Sequence, residues 1–304
     1  MKKALLLMFS LLQLTRLCAR DTLIVQTGIP QNSQVFIYHK DTLYFSKPNL
    51  LKNMGRVPSD MLGIAKSPFQ QKNWIALSAV AASTALLILK DQDILNWVRK
   101  TSDGMGLSPK SDFNIIWQIG KTRIIKSPRN LNTALYQLGE GGTSMALAGG
   151  LWVYGKIKKD WRAINTACDL AETFVTMGVT TQVIKRITGR ESPFKATVAG
   201  GRWAPFPSFN TYQQNTSSYD AFPSGHLATM VATVTVLTQN YPEKKWIKPV
   251  GYAILGLSSW AMMNTEVHWI SDYPLAIAIG YISGKITTMR HQRKYSAGAK
   301  SIVL

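Results

Sequence analysis

Two of the chain's four histidines lie in short segments whose residue types could do chemistry together. His226 ends a Pro-Ser-Gly-His tetrapeptide, and His268 precedes Asp272 by four residues. On one helical turn, a carboxylate four residues away can keep a proton on one ring nitrogen of a histidine. The other ring nitrogen of His268 is then free to act as a nucleophile.

Neighbouring residues could bind a phosphate group. Ser224 and Gly225 precede an apolar stretch of helical length, where backbone N–H groups and the positive end of the helix dipole attract anions. Lys185, Arg186 and Arg190 add cations at the end of another apolar stretch. Each feature alone also fits a surface ion pair, a helix cap or a solvated basic face. Their combination favours a phosphate site.

The order of these segments resembles the type 2 phosphatidic acid phosphatase and vanadium haloperoxidase superfamily. The pattern of that superfamily is Lys-x6-Arg-Pro, then Pro-Ser-Gly-His, then Ser-Arg-x5-His-x3-Asp. The resemblance covers about Ala167 to Lys285. It implies an all-α fold, a helical bundle, and a phosphatase that requires neither a metal nor another cofactor.

The resemblance also implies a role for each matching residue. His268 would attack phosphorus and form a phosphohistidine, and Asp272 would orient the His268 ring. His226 would protonate the leaving group as a general acid. The residues that would bind the phosphate oxygens are Lys185, Ser224 and Gly225.

Two positions depart from the pattern of the superfamily. Ser192 stands where the first motif has arginine, and Ala261-Met262 stands where the third motif has Ser-Arg. A missing contact to the pentavalent phosphorus costs about 3 kcal/mol, or roughly a hundredfold in rate, unless another cation replaces it. Arg190 and Arg202 are the candidate replacements, and Arg190 is counted among the phosphate-binding residues. Ordinary loop charge is the alternative explanation for both.

Six apolar stretches of helical length must position these residues. Three shorter runs with β-like composition precede them: Leu23 to Val25, Val35 to Tyr38 and Leu43 to Phe45. We therefore expect a bundle of about six core helices after a short irregular or β-like segment. The six stretches are Trp74 to Leu89, Thr133 to Tyr154, Ala167 to Ile187, His226 to Leu237, Val250 to Met263 and Leu275 to Ile286.

The apolar stretches predict membrane embedding, and a buried core of a soluble bundle is the alternative. Basic loops after the second, fourth and sixth stretches indicate a cytoplasmic side. A secretory signal would place the N-terminus outside the cytoplasm, whereas six spans with these loops in the cytoplasm require the first span to begin inside. Three arrangements remove this conflict. Either one stretch does not span, or a segment near Phe113 to Ile125 also spans, or the domain is not embedded.

The N-terminus has the features of a secretory signal. Two lysines precede an apolar run from Ala4 to Leu14, and Leu17-Cys18-Ala19 follows it. The predicted organisation is a signal peptide or anchor at 1–19, an accessory segment at 20–72, a helical phosphatase domain at 73–290 and a basic tail at 291–304. Cleavage would leave Cys168 as the one cysteine, so no internal disulfide is expected.

Composition restricts the class of protein. Of 304 residues, 46% are hydrophobic and 17% are charged, which excludes a disordered chain. A mean hydropathy of −0.02 indicates polar structure beside the apolar helices. The net charge of +19 favours a polyanionic partner. Nucleic-acid binding would explain this charge but neither the signal nor the histidine segments, so no nucleic-acid partner is expected.

The sequence thus predicts a metal-independent phosphatase acting on an anionic lipid of the phosphatidic acid, isoprenyl diphosphate or lipid A class. The expected location is the bacterial envelope, either the inner membrane with a periplasm-facing site or the periplasm. Three alternatives remain open: a soluble periplasmic acid phosphatase, a vanadate-dependent haloperoxidase, and a non-catalytic phosphate-binding or structural protein. The first measurement that separates them is phosphate release that depends on His268.

Overall fold

The computed structural model describes residues 33–38, 41–120 and 122–294. It is mostly helical, with short strands near both ends of the described chain, which confirms the predicted all-α bundle with a β-like N-terminal segment. The helices are α1 (Leu50–Met54), α2 (Val57–Lys66), α3 (Trp74–Ile88), α4 (Asp91–Gly104), α5 (Leu131–Leu138), α6 (Gly141–Lys158), α7 (Trp161–Thr188), α8 (Phe209–Gln214), α9 (Gly225–Asn240), α10 (Ile247–Asn264) and α11 (Tyr273–Thr288). The strands are β1 (Ser33–Tyr38), β2 (Asp41–Ser46), β3 (Phe113–Ile119), β4 (Thr122–Pro128) and β5 (Gln292–Lys294).

A three-stranded antiparallel sheet joins the two ends of the described chain. β1 pairs with β2, with Val35 opposite Tyr44, and β2 pairs with β5. The second and third predicted β-like runs therefore form strands, while the run from Leu23 to Val25 lies outside the described residues. Helices α1 and α2 follow the sheet within the accessory segment, and the basic tail begins in β5.

The core of the bundle is the contact between α9 and α11, with α7 packed against both. Two glycines of α11 permit this close approach. A Cβ added at Gly280 would lie 2.4 Å from the carbonyl oxygen of Ala228, and one at Gly284 would lie 3.0 Å from that of Ala232. The helix axes can be this close because neither glycine carries a side chain. The first turn of α9 is thereby fixed against the start of α11.

The long helix α7 begins and ends at residues suited to those positions. The Asp160 carboxylate accepts a hydrogen bond from the Ala163 N–H at 3.0 Å as the N-cap. Gly189 ends the helix in the left-handed region, with φ of 55°, and a Cβ there would lie 1.9 Å from the carbonyl oxygen of Ala204. Only glycine fits this turn, which directs Arg190 into the interior.

Two segments differ from the sequence prediction. The stretch from Thr133 to Tyr154 was expected as one helix, but it breaks into α5 and α6 because Glu140 has an extended backbone between Gly139 and Gly141. The segment near Phe113 to Ile125 forms the β3–β4 hairpin instead of a spanning helix, turning at Gly120 with φ of 56°. β-branched residues in both strands, aromatic residues in β3 and a glycine with positive φ between the strands explain the hairpin.

Among the described residues, no single helix is both long enough and apolar enough to cross a membrane. The pair Gln71–Ile88 and Asp91–Gly104, bent by 70° at the break between them, passes the same criteria when taken together.

Candidate active site

His268 lies between α10 and α11 with only 2% of its surface exposed. Its Nδ1 atom is 2.9 Å from the carbonyl oxygen of Ala221 and 3.5 Å from Oδ2 of Asp272. Because a carbonyl oxygen only accepts hydrogen bonds, Nδ1 must carry the proton. The Nε2 atom of His268 therefore keeps its lone pair. The structure places Asp272 beside His268, but the nearer partner of the ring is a backbone carbonyl.

Asp272 is fully buried at the end of the short helical turn that precedes α11. Its Oδ2 atom accepts a hydrogen bond from the Trp269 N–H at 2.8 Å, and its Oδ1 atom pairs with Nη1 of Arg190 at 2.6 Å. Burial raises the pKa of Asp272 to about 6, and the charge of Arg190 opposes this rise. The carboxylate is thus fixed by partners on two sides.

His226 lies in the first turn of α9, with its Nδ1 atom 3.3 Å from Nε2 of His268. Loss of solvation, together with the charge of the Lys185 ammonium, lowers the pKa of both imidazoles to about 3. For His226 the neighbouring His268 ring contributes more than Lys185 does. Both rings are therefore neutral at pH 7 in the unliganded site.

The start of α9 and the end of α7 form a site that suits an anion. Ser224 caps α9 by accepting from the Leu227 N–H at 3.2 Å, and its own N–H donates to the carbonyl oxygen of Asp272 at 3.1 Å. The first N–H groups of the helix have no acceptor within it. A Cβ on Gly225 would lie 3.8 Å from Nζ of Lys185, so glycine leaves the space before the ammonium open.

Lys185 projects from the last turn of α7 and is buried, with 5% of its surface exposed. Its Nζ atom lies 3.6 Å from Oδ2 of Asp220, which is itself partly exposed. This ion pair holds the ammonium beside Gly225 and leaves donors for a further oxygen, since an ammonium has three. The structure thus brings Lys185, Ser224 and Gly225 to the same end of the bundle as both histidines.

Arg190, predicted to bind phosphate, is fully buried and bonded to protein groups. Its Nη1 atom donates to Asp272 and to Oγ of Ser271, each at 2.6 Å. Its Nη2 atom donates to Oδ2 of Asp91 at 2.6 Å and to the carbonyl oxygen of Gly200 at 2.7 Å. Its guanidinium is bonded to Asp272 and to other protein groups, so we infer that it positions Asp272 instead of binding phosphate.

The two positions where the superfamily pattern has arginine are uncharged and buried. Ser192 donates its N–H to the carbonyl oxygen of Ser217 at 2.9 Å, and the Sδ atom of Met262 lies 4.0 Å from Oγ of Ser224. Arg202 is exposed, and it contacts the Glu191 carboxylate through its backbone N–H, at 2.9 Å. Arg186 stacks on the ring of Tyr212 at 3.6 Å. Neither arginine occupies the position of the missing ones.

Sequence reasoning missed two site residues, both from segments that precede α7. Asp91, the first residue of α4, is buried and accepts from the Ser271 N–H at 3.0 Å in addition to pairing with Arg190. Tyr136 of α5 places its hydroxyl 3.1 Å from Nε2 of His226. The acidic start of a helix and the glycines after Tyr136 were the available signals, and neither indicates a site by itself.

Within residues 33–38, 41–120 and 122–294, no three histidine, cysteine, aspartate or glutamate side chains form a set that could hold a metal ion. Cys168, the one cysteine in these ranges, is buried in α7.

Comparisons with known proteins agree with the motifs. Residues 166–296 match the family model described as the PAP2 superfamily, and this range includes all three motif segments. A relative, the lipid A 1-phosphatase of Porphyromonas gingivalis, is 26% identical over 80 residues. The aligned stretch spans 26% of this chain and 18% of that protein.

A solved structure with similarity to this chain is that of a transmembrane PAP2 type phosphatidylglycerolphosphate phosphatase from Bacillus subtilis. Its sequence is 15% identical, and the TM-score is 0.38. The superposition covers 79% of this chain and 96% of that one.

Proposed function

We propose that this chain, whose residues 166–296 belong to the PAP2 superfamily, is a phosphatase that removes phosphate from a phosphorylated lipid through a phosphohistidine. The observation that carries the proposal is the pair of facing histidines. Nε2 of His268 has a lone pair because Nδ1 donates to the Ala221 carbonyl, and Nδ1 of His226 lies 3.3 Å away. A phosphate bound between the Lys185 ammonium and the start of α9 would meet both rings.

In the first step, Nε2 of His268 attacks phosphorus. The N–P bond forms as the P–O bond to the lipid breaks, and the leaving oxygen takes a proton from His226. The His226 ring is neutral in the unliganded site, but a bound phosphate dianion favours its protonated form and raises its pKa. Substrate binding thus creates the acid that the step needs.

In the second step, water attacks the phosphohistidine. His226, now neutral, takes a proton from the water as the new P–O bond forms and the N–P bond to His268 breaks. Inorganic phosphate leaves, His226 releases the proton it took from water to the departing phosphate or to solvent, and both histidines are again neutral. Asp272 and the Ala221 carbonyl hold the proton on Nδ1 of His268 throughout, which keeps Nε2 available as nucleophile and leaving group.

The charge balance of the site supports slow turnover compared with a site that has both motif arginines. Ser192 and Met262 supply no charge, and the Arg190 guanidinium is bonded to Asp91 and Asp272. Lys185 and the dipole of α9 are the remaining stabilisers of the pentavalent phosphorus among these groups.

A lipid substrate is supported by two features of this chain. The net charge of +19 favours anionic lipid surfaces, and many large apolar side chains are exposed on the helices and on β3. The relative aligned above is by its name a lipid A 1-phosphatase. We propose the lipid A, phosphatidic acid and isoprenyl diphosphate classes as candidates, and the bacterial envelope as the location.

The test is phosphate release by the full chain in detergent with EDTA present. The substrates are a lipid A phosphate, phosphatidic acid, an isoprenyl diphosphate and a soluble aryl phosphate, each also incubated with His268→Ala. Release from a lipid that requires His268 supports the proposal. Release from the aryl phosphate alone overturns the lipid assignment in favour of a soluble acid phosphatase. Absence of release from every substrate overturns the phosphatase assignment and favours a phosphate-binding role.

A further inference from the structure

The end of α5 lies directly against the first turn of α9, although α5 precedes residues 166–296. A Cβ added at Gly139 would lie 3.7 Å from Cβ of His226 and 3.1 Å from Sδ of Met230. Gly139 therefore permits a contact between the two helices that a larger residue would separate. The same contact brings the Tyr136 hydroxyl to Nε2 of His226, at 3.1 Å.

We propose that Tyr136 is a positioning residue that stabilises one protonation form of His226, in which the hydrogen on Nδ1 of His226 points towards Nε2 of His268, where the phosphate would react. This inference rests on the proposed function, in which His226 donates a proton to the leaving oxygen. Tyr136 does not touch the reacting atoms and acts through the opposite nitrogen of the ring.

A chain of three hydrogen bonds allows one arrangement of protons when both rings are neutral. The Ala221 carbonyl can only accept, so Nδ1 of His268 donates and its Nε2 accepts. Nδ1 of His226 must then donate to that Nε2, at 3.3 Å, which leaves Nε2 of His226 as an acceptor. The remaining donor is the Tyr136 hydroxyl. Every proton in this chain therefore points from Tyr136 towards Ala221.

Burial keeps the Tyr136 hydroxyl protonated, so that it can donate to Nε2 of His226. Loss of solvation raises the pKa of Tyr136 well above its ordinary value, and the charges of Glu140 and Asp220 raise it further. The phenol therefore stays protonated at neutral pH. The charged or titratable groups around His226 are His268, Lys185, Lys126 and, through Tyr136, Glu140 and Asp220.

A hydroxyl suits both protonation states of His226. It donates to Nε2 while the ring is neutral, and it rotates to accept from Nε2–H when a bound phosphate makes the ring cationic. A phenylalanine side chain could do neither. Without the hydroxyl, Nε2 of His226 loses its donor, so the preference for hydrogen on Nδ1 weakens, and the cationic ring loses an acceptor.

The first test is kinetic and compares Tyr136→Phe with Tyr212→Phe. Tyr212 is a matched control because its buried hydroxyl also donates to one side chain, Gln182, at 3.1 Å, away from both histidines. With a lipid phosphate that wild type hydrolyses, Tyr136→Phe should lower kcat about tenfold, with KM changed less than about twofold. The basic limb of the kcat profile should move to lower pH by about one unit, because the cationic His226 is less stable.

The second test does not depend on turnover. In full-length protein labelled with ¹⁵N-histidine, two-bond ¹⁵N–¹H correlations identify which ring nitrogen carries hydrogen. Wild type should show His226 with hydrogen on Nδ1, and Tyr136→Phe should show a mixture of the two forms. If wild type hydrolyses none of the phosphates, the proposed function fails while this spectrum still decides the role of Tyr136.

Three results would overturn the role of Tyr136. One is a kcat and pH profile of Tyr136→Phe equal to those of wild type. Another is an equal loss of kcat in Tyr212→Phe, which would make the effect a general one of removing a buried hydroxyl. The last is a wild-type spectrum with the His226 hydrogen on Nε2 at neutral pH.

Discussion

Two clusters in this bundle each combine a histidine with an arginine and two carboxylates, but they differ in access. The first, called the catalytic cluster after its role in the proposed function, consists of His268, Asp272, Arg190 and Asp91. The second cluster consists of His291, Asp169, Glu172 and Arg290, and it lies near the other end of α7. Asp169 and Lys185 are about 24 Å apart along that helix at 1.5 Å per residue.

The histidine of the second cluster is bonded to a carboxylate and packs against an aromatic ring. Nε2 of His291 is 3.0 Å from Oδ2 of Asp169, and the ring stacks on Phe45 at 4.8 Å. Nη2 of Arg290 pairs with Oε1 of Glu172 at 2.6 Å. These contacts tie the N-terminal sheet and the end of α11 to the long helix α7.

The catalytic cluster instead leaves one histidine nitrogen open. Nε2 of His268 faces another imidazole, with Lys185 and the start of a helix beside it. A buried histidine, an aspartate and an arginine together do not identify an active site. The difference lies in the Nε2 lone pair of His268, which faces a second imidazole and no carboxylate, and in the nearby anion site.

The largest expected difference between the clusters is in activity. His268→Gln should lower phosphate release more than about a thousandfold, because the nucleophile is lost. His291→Gln should leave kcat per folded molecule within about twofold and lower the free energy of unfolding by about 2 kcal/mol, because Asp169 loses a buried partner. Phosphate release and urea unfolding of both variants measure this. Comparable losses of kcat in the two variants would remove the distinction.

Substitutions of the two arginines should differ less in their effect on kcat than substitutions of the two histidines. Arg190→Met removes the partner of two buried carboxylates, so it should lower the free energy of unfolding by about 3 kcal/mol and kcat about a hundredfold. Arg290→Met should cost about 2 kcal/mol of stability, with kcat per folded molecule unchanged within about twofold. The measurements are urea unfolding and kcat under conditions where each variant is folded. An Arg190→Met enzyme with wild-type kcat would show that Asp272 does not need this support.

Acid should destabilise the protein partly through His268. Its folded-state pKa of about 3 lies below the ordinary 6.5, so stability gained by keeping the ring neutral is fully present above pH 6.5 and is lost as pH falls towards 3. Asp272 acts oppositely, since stability from its raised pKa of about 6 is lost as pH rises through 6. Between pH 7 and 5, wild type should lose about 2 kcal/mol more than His268→Gln in urea unfolding. Equal losses would mean that His268 remains solvated.

The smallest expected effect comes from filling the open space. A Cβ at Gly225 would be 3.8 Å from Nζ of Lys185, an ordinary contact distance, so Gly225→Ala should change the free energy of unfolding by less than about 0.5 kcal/mol. It should raise KM about threefold, because the methyl group lies where a phosphate oxygen would approach the ammonium. Kinetics and urea unfolding of the variant measure this. An unchanged KM would place the phosphate elsewhere.

Much of the helical bundle could be predicted, because its core helices coincide with apolar stretches of helical length in the sequence. The ranges around α3, α7, α9, α10 and α11 follow directly from that pattern. Helix α4 was missed because its sequence is largely polar, and the break between α5 and α6 was missed because both flanks are apolar. These errors share a cause, since hydropathy does not report where the backbone turns.

Only those site residues that lie within the local motifs could be predicted from the sequence. The segments around Lys185, His226 and His268 were found by spacing, and the structure brings them together. Asp91 and Tyr136 could not be found, because they approach the site from distant parts of the chain and carry no motif. The partners of Arg190 were equally hidden, since a sequence shows the charge of an arginine and not the carboxylates that bind it.

The central claim is tested most directly by trapping the phosphoenzyme. The full chain in detergent is mixed with a ³²P-labelled lipid phosphate, quenched in base, which preserves phosphohistidine, and digested to locate the label. The account predicts label on His268 in wild type and none in His268→Gln. Phosphate release by wild type without label on His268, or equal release by His268→Gln, would contradict it.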